Sequence, residues 1–578
     1  MMTIRETERN YTLQFPYDPI LNQKAMSITG FWWNAKDRLW QYPKNDMMLM
    51  IIMEQLQPDN ISETVSKRVE GLKAFKERLV EAEDIKKAET VMELEKFAGR
   101  FKTVPYQHQL KAWYIAKDLP YYGFLFEMGA GKTKAVIDTV IEKSRAVKYD
   151  RGYPTVLIVC PKALLQTWKQ EILTHTTDTE KDINIMWAQS ASKKARLIAH
   201  TSKWNIINYD NIASQLTPLI QHGFDFAILD ESQRIKTPGA QVTKAAMKLA
   251  VTCKHRYILT GTPVSQSPFD LYSQMRFLDP AILGASTFTV FKVRYADFGG
   301  YGGYEVKHYK NLDHLQSLIA PYSYRVLKKD CLDLPDKIYK VIPFDLSTQE
   351  MEYYQKMKEE CLIELARTQQ TISTMNTLSS LTKLRQITSG FILDAVKMTH
   401  ILSRDKPTKL KILQDLLEFN KTLSGEYIEK YVIWCVFRSE IEQIIVMLKE
   451  NFPEIKYVTV RGGQDNNKEN CDLFNTDPKI NVCIAQIQAG GVGLSMIGAQ
   501  SGAVIYYNNT FSLSDRLQSE DRSHRIGTKQ NVVYYDLVAK GTIAVSVAQA
   551  LKRKINVAEF INREPYQLAN FLSGREQE

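Results

Sequence analysis

No Cys-x-x-Cys pair occurs anywhere in this chain of 578 residues, although it has seven cysteines. Scattered singly at Cys160, Cys253, Cys331, Cys361, Cys435, Cys471 and Cys483, they suggest neither a disulfide framework nor a zinc site. A reducing cytosol is their simplest home. Long apolar runs are missing too: the densest, Met47 to Met53, is far shorter than the roughly 20 residues a membrane-spanning helix needs. The N-terminus lacks a charged-then-apolar signal pattern, and no short-period repeat or low-complexity tract is present. The expectation is a soluble, cytoplasmic protein with no membrane partner. Charge imbalance is also slight. Lys and Arg number 75 against 65 acidic residues, for a formal net charge of +10. That excess permits a polyanionic partner without requiring one.

What is present is ordinary for a globular protein, 44% hydrophobic and 24% charged, and the length suits roughly three to four domains. Residues 1–60 hold short aromatic segments, Phe31-Trp32-Trp33 and Leu39-Trp40-Gln41-Tyr42-Pro43, around the polar stretch Asn34 to Arg38. Two aromatic runs joined by a polar turn predict a hairpin, followed by a Met-rich helix. Residues 61–103 are charged, helical in period and free of proline, with Gly71 and Gly99 as the only glycines; they read as a solvated helical connector.

Between residues 104–280, short β-branched runs alternate with helical stretches. Thr155 to Val159 and Phe226 to Leu229 are continuous apolar runs ending in polar or special residues, as parallel strands covered on both faces require. Residues 429–555 repeat the pattern at Tyr431 to Trp434, Val482 to Ala485, Ala503 to Tyr506 and Val532 to Tyr535. Residues 281–428 form a helix-rich insertion between the two, and 556–578 a C-terminal tail. The predicted fold is α/β, two parallel-sheet lobes with a small N-terminal α+β module. Open parallel sheets bind ligands beyond the carboxyl ends of their strands.

Phe124 to Thr133 reads as a strand entering a glycine loop and then a helix. Backbone N–H groups of such a loop, backed by the helix N-terminus, cradle phosphates. Lys132 would reach the outer phosphates and the Thr133 hydroxyl a Mg²⁺ ion. Only the short Gly-x-Gly-Lys-Thr form is present, because Phe126 stands where the longer pattern has its first glycine. Asp230 and Glu231 follow the apolar run from Phe226, and two carboxylates at a buried strand tip are costly without a cation or a proton donor. Asp230 would hold Mg²⁺ through water and Glu231 would polarise the attacking water. In the second α/β region, Gln518-x-x-Asp521-Arg522-x-x-Arg525 places two guanidinium groups on one helical face, suited to a phosphate gaining charge. Each element has a bland counterpart: a flexible loop, a helix cap, a solvated basic face. Their joint presence favours a nucleotide site.

On these motifs the chain resembles the Swi/Snf-type ATPases of helicase superfamily 2, over about residues 104–555. The glutamine motif is similar to Tyr106-Gln107, motif I to Glu127–Thr133, and motif Ia to Leu157–Lys162, with Leu164-Leu165-x-x-Trp168-x-x-Glu171 after it. Motif II resembles Asp230-Glu231-Ser232-Gln233, motif III Leu259–Pro263, motif V Gln488–Leu494 and motif VI Gln518–Gly527. Gln233 stands where His is commoner, and Thr528 where Gln is frequent.

The resemblance implies two RecA-like lobes and a DNA-dependent ATPase using ATP and Mg²⁺. It assigns Gln107 to the base and Gly129, Gly131, Lys132 and Thr133 to the phosphates, with Met128 and Ala130 also in the ATP-binding loop. Thr133 and Asp230 would hold the metal; Glu231, Arg522, Arg525 and Gln518 would be catalytic. Gln233, Thr260 and Thr262 would couple nucleotide state between lobes, while Lys162, Asn208, Tyr209, Lys236 and Gly491 would face DNA. Motor members of this type track double-stranded or forked DNA and shift bound proteins or reanneal strands. A strand-separating DNA or RNA helicase and a slow nucleotide-gated clamp are the alternatives. With no targeting domain recognised, a monomer from a bacterial or phage-infected cell is expected.

Two further segments carry weaker signals. Residues 281–345 interleave Lys292, Arg294, Lys307, Lys310, Arg325, Lys328 and Lys329 with Tyr295, Phe298, Tyr301, Tyr304 and Tyr309, which fits either tracking of a polyanion or an aromatic core with solvated lysines. Trp33, Asn34, Trp40, Tyr42 and Pro43 resemble the HARP module of annealing helicases, against a small aromatic core as the default.

Overall fold

Alternating burial along the first strands marks a sheet with one wet face. The computed structural model describes residues 1–551 apart from 9, 29–30, 45, 88–92, 98, 265–266, 300–304, 332–333, 368–381, 394–398, 403–405, 420–428, 465, 489–493, 511, 526–527, 546 and 549–550. Strands β1 (Thr3–Glu6), β2 (Asn10–Gln14), β3 (Trp32–Asn34), β4 (Leu39–Pro43) and β5 (Asn60–Ile61) join in the order β3-β4-β2-β1-β5. The predicted hairpin is β3–β4, with Trp33 opposite Trp40, and helix Asp46–Leu56 follows it. Tyr11, Leu13, Trp40, Tyr42 and Leu49 share one core, and the buried Tyr42 hydroxyl donates to the Ala25 carbonyl at 3.0 Å.

Helix Glu63–Lys87 is solvated along one side only. Its first turns give Val65 and Val69 to the N-terminal core. Its later turns set Phe75, Leu79, Ala82 and Ile85 against the core of the next sheet. A helix of 25 residues is ~38 Å long at 1.5 Å per residue, so one rigid rod serves both cores.

The first large sheet uses β6 (Tyr121–Phe126), β7 (Val156–Cys160), β8 (Ile183–Ile185), β9 (Trp204–Asn208), β10 (Phe226–Asp230) and β11 (His255–Leu259). Beyond a hairpin of β12 (Ala296–Gly299) and β13 (Glu305–Tyr309), β14 (Ser323–Val326) completes it, in the order β14-β6-β11-β10-β7-β9-β8. Every pairing is parallel. Period-two alternation sends Leu157 and Val159 to one hydrophobic layer and Val156, Ile158 and Cys160 to the other, so helices cover both faces.

The second large sheet starts with β15 (Lys337–Phe344). After a hairpin of β16 (Phe391–Leu393) and β17 (Thr399–Ile401) come β18 (Tyr431–Cys435), β19 (Lys456–Val460), β20 (Ile480–Gln486), β21 (Ala503–Tyr506) and β22 (Val532–Ala539). The order is β15-β22-β21-β18-β20-β19, again parallel throughout. Two apolar layers flank this sheet also. The α/β architecture of two RecA-like lobes is thus present. Among the described residues no helix is long and apolar enough to cross a membrane.

The insertion is less separate than its sequence suggests. β14 and β15 both lie within residues 281–428, yet each is an edge strand of a lobe sheet. Ser-Tyr-Arg-Val and the largely exposed, mixed strand Lys337–Phe344 are not continuous apolar runs, because an edge strand need not bury both faces. The aromatic residues of the insertion mostly pack together: Phe291 and Tyr295 are fully buried, and Phe269 stacks on Phe298 and meets Tyr309 edge-on. Arg294 donates to the Leu283 and Gly284 carbonyls, and Lys310 pairs with Asp297. Packing accounts for these groups better than a polyanion track does; Tyr301 and Tyr304 lie outside the described residues.

Candidate active site

Where β6 leaves the sheet the chain must turn sharply into helix Lys132–Arg145, and glycines permit it. Gly129 and Gly131 have φ of +83° and +76°, the left-handed region that side chains with a Cβ seldom adopt. At Gly131 a Cβ would also run into the Gln109 amide. Met128, Gly129, Gly131, Lys132 and Thr133 line a cleft of about 290 Å³. Ala130 is turned inward, and His108 Nε2 donates to its carbonyl at 2.7 Å.

Gln109 braces this loop from beneath. Its Oε1 accepts from the Tyr106 N–H at 2.9 Å and its Nε2 donates to the Gly131 carbonyl at 3.2 Å. Gln107 is exposed on the first turn of the same helix and is not among the cleft's lining residues. Sequence reading missed His108 and Gln109. The signal was there: Gln109, Ala112, Trp113 and Ala116 are buried at helical spacing, so a polar Gln109 on that face needed a partner.

The facing wall is the carboxyl end of β10. Asp230 Oδ2 accepts from Trp168 Nε1 at 2.9 Å, Oδ1 accepts from the Glu231 N–H at 3.0 Å, and its carbonyl accepts from the Tyr209 hydroxyl at 2.8 Å. Burial, reinforced by the neighbouring Glu231, pushes the Asp230 pKa up to about 6. Glu231 has φ of +53°, an uncommon conformation for a residue with a side chain. Its carboxylate lies 3.9 Å from Lys132 Nζ. Gln233 Nε2 donates to Glu231 Oε2 at 2.8 Å, the Thr260 hydroxyl donates to Gln233 Oε1 at 2.7 Å, and the Thr262 N–H donates to Thr260 Oγ1 at 3.0 Å. The three residues read as coupling groups therefore form one hydrogen-bonded chain ending on Glu231.

The second lobe closes the cleft with Asp521, Arg522 and Arg525 from the end of helix Leu513–Ser523 and the turn after it. Arg522 and Arg525 each donate to the Leu494 carbonyl, at 3.3 and 3.5 Å. Arg522 is buried, which pushes its pKa down to about 10, and its Nε and Nη2 have no hydrogen-bond partner among the described residues. A cleft lined by Arg522, Arg525 and Lys132 gathers positive charge and suits an anion. Gln518 is half-buried on the same helix, outside the cleft lining.

These walls fit a magnesium nucleotide. Left-handed glycines and the start of helix Lys132–Arg145 offer N–H groups to phosphates, and Arg522 and Arg525 bring positive charge to the same cleft. For a metal the protein supplies little: no cluster of three or more His, Cys, Asp or Glu side chains suited to a metal exists among the described residues. Thr133 and Asp230 alone suit Mg²⁺, which takes few protein ligands and fills its shell with phosphate oxygens and water.

A SNF2-related domain model matches residues 106–390, and a helicase conserved C-terminal domain model matches residues 408–527. The chain belongs to the Swi2/Snf2-related ATP-dependent helicases. An uncharacterized ATP-dependent helicase of Mycoplasma genitalium is 27% identical over 487 residues, covering 82% of this chain and 43% of its own length. The DNA annealing helicase and endonuclease ZRANB3 of Bos taurus is 27% identical over 448 residues, covering 75% of this chain and 38% of its own length. The chain thus spans less than half the length of these relatives. A solved SWI2/SNF2 ATPase core of Sulfolobus solfataricus in complex with dsDNA is 21% identical, with a TM-score of 0.37, covering 84% of this chain and 99% of that one.

The Swi2/Snf2 positions expected to face DNA divide into two kinds. Lys162 is exposed, its ammonium 4.3 Å from the centre of the Trp187 ring, and Lys236 is half-buried where the Ser232–Ile235 turn ends. Asn208 and Tyr209 face inward instead. The Asn208 amide bonds to Asp210 and Asn211, and the buried Tyr209 hydroxyl is spent on the Asp230 carbonyl. Tyr209 thus braces the Asp230 strand end, while Asn208 ties the turn that follows β9. Gly491 lies outside the described residues.

Proposed function

We propose that this Swi2/Snf2-related chain hydrolyses ATP with Mg²⁺ to translocate along double-stranded DNA, acting on forks or reannealing strands. One observation carries the reading: Lys132 and Glu231 of one sheet share a cleft with Arg522 and Arg525 of the other. Such a cleft is complete only when both lobes are closed, so hydrolysis can be tied to lobe motion.

Each residue has a definable task. Loop N–H groups and Lys132 hold the outer phosphates in place. Thr133 and Asp230 would hold the magnesium ion, which supplies neutralising charge at the phosphate oxygens. Glu231 orients a water and accepts its proton, held for this by Lys132 and Gln233. Arg522 and Arg525 meet the charge that develops on the transferred phosphoryl group. Gln233 reports the state of Glu231 to Thr260 and Thr262 of motif III.

Duplex DNA as the track is supported by the family membership, by the net charge of +10 and by the exposed Lys162. The likeness to a DNA annealing helicase and the exposed Trp32 and Trp33 on β3 support forked DNA and annealing. A monomer in a bacterial or phage-infected cytoplasm completes the proposal. The test is strand displacement: a third strand is expected to leave a triplex only with ATP, while a blunt duplex stays paired. Robust unwinding of that duplex would replace translocation with strand separation.

A further inference from the structure

The start of the segment between the two sheets lies against the glycine loop. β14 ends at Val326 and β15 begins at Lys337, and Lys328 stands between them, buried. Its backbone N–H donates to Glu127 Oε2 at 2.7 Å. Its side chain runs past Gly129 so closely that a Cβ there would lie 3.4 Å from Lys328 Cε. The ammonium ends in the other lobe, donating to Asp521 Oδ1 and to the His524 carbonyl, each at 2.7 Å.

Asp521 is the residue that makes this contact consequential. It lines the nucleotide cleft beside Arg522 and Arg525. A carboxylate there is the natural bidentate partner of either guanidinium and a repulsive neighbour for phosphate. Yet neither arginine is paired with it: both donate to the Leu494 carbonyl, and Arg522 Nε and Nη2 have no partner among the described residues. Asp521 is instead held by Lys328, with Lys337 Nζ 3.5 Å away and also bound to Glu520 at 3.2 Å. Burial acts to raise the Asp521 pKa, but Lys328 and Lys337 outweigh it and keep the group ionised below the usual carboxylate range.

We propose that Lys328 is a positioning residue for hydrolysis: by occupying Asp521, it stops that carboxylate from capturing Arg522 or Arg525 and leaves their donors for the transferred phosphate. The inference rests on the ATPase reading above. A plain structural brace predicts something different, because removing both ends of a brace restores nothing.

The experiment is a double-mutant cycle in the full chain, with kcat and KM for Mg-ATP measured on saturating duplex DNA and nucleotide affinity measured with a fluorescent ATP analogue. Lys328→Met is expected to lower kcat about tenfold or more while changing KM little, the signature of a lost transition-state interaction. Adding Asp521→Asn to Lys328→Met is expected to recover most of the lost kcat, because no lone carboxylate then competes for the arginines. Should Lys328→Met fail to fold, Lys328→Gln, which can still donate to the His524 carbonyl, carries the same cycle. No hydrolysis by the unaltered chain overturns this proposal and the function together. A chain that hydrolyses ATP, but whose double variant is as slow as or slower than the single lysine variant, overturns the role of Lys328 alone.

Discussion

The Thr260 hydroxyl donates to the Gln233 amide oxygen at 2.7 Å. The nitrogen of the same amide donates to Glu231, so one side chain joins the end of β11 to the carboxylate that would orient water. Histidine is commoner at this position among the resembling motifs, but an amide offers a donor and an acceptor in one fixed plane, which is all the relay needs. Gln233→Ala should lower DNA-stimulated turnover on the order of tenfold while ATP still binds, because it leaves a buried Glu231 oxygen and the Thr260 hydroxyl without partners. Comparing the DNA stimulation ratio of the two proteins checks it; an unchanged ratio would remove Gln233 from the coupling path.

Arg525→Ala should cost on the order of a thousandfold in turnover, as loss of an arginine finger does. Arg522→Ala should be at least as severe, since Arg522 lines the same cleft and its buried Nε and Nη2 have no partner among the described residues. Single-turnover hydrolysis separates this chemical defect from slow product release. Near-normal rates in either variant would mean the fingers lie elsewhere.

The Asp230 pKa, raised to about 6 by burial beside Glu231, gives two pH dependences. Because the carboxylate form is the one that would hold the metal, kcat/KM for Mg-ATP should fall as pH drops below about 6. Stability moves the opposite way. A carboxyl whose folded pKa lies above the unfolded value of 3.8 favours the folded state fully below that value, and the contribution is lost as pH rises through about 6. Without nucleotide, Asp230→Asn should therefore melt higher than the unaltered chain near neutrality, with the gap closing towards pH 4. A gap independent of pH would show that Asp230 is not the group responsible.

Much of the fold and site was legible, and what was not has physical reasons. Fully buried strands such as Val156–Cys160 and Phe226–Asp230 announce themselves as apolar runs, and the loop and acidic residues at their ends follow. Edge strands do not. Ser323–Val326 and Lys337–Phe344 bury only part of their surface, so their sequences gave no sign that the insertion completes both sheets. Asn208 and Tyr209 show a second limit. Motif position sets them beside the site, but only the fold reveals that the Tyr209 hydroxyl points inward to the Asp230 carbonyl. Gln109 is the converse case: a polar residue on a helix face that reads as core signals a buried partner, but only the fold shows that the partner is the Gly131 carbonyl.

The N-terminal module separates two tryptophans that the sequence leaves equivalent. Trp40 is 7% exposed and Trp33 47%, with their rings 5.0 Å apart. Trp40→Ala should lower the melting temperature, since emptying a buried aromatic site costs ~3–5 kcal/mol. Trp33→Ala should leave melting nearly unchanged and weaken preference for forked over linear duplex, if stacking on junction bases contributes ~1–3 kcal/mol per base. Equal fork preference in Trp33→Ala would assign the module a purely structural role.

The central claim is that the cleft between the two sheets hydrolyses ATP in response to duplex DNA. Its most direct measurement is the steady-state ATPase rate of the chain with duplex DNA, single-stranded DNA and RNA at fixed salt, beside Glu231→Gln. The account predicts stimulation by duplex above all others, a steep fall as salt rises because phosphate contacts release counterions, and a Glu231→Gln variant that binds ATP but barely turns it over. Strongest stimulation by single-stranded RNA, or full turnover by Glu231→Gln, would contradict it.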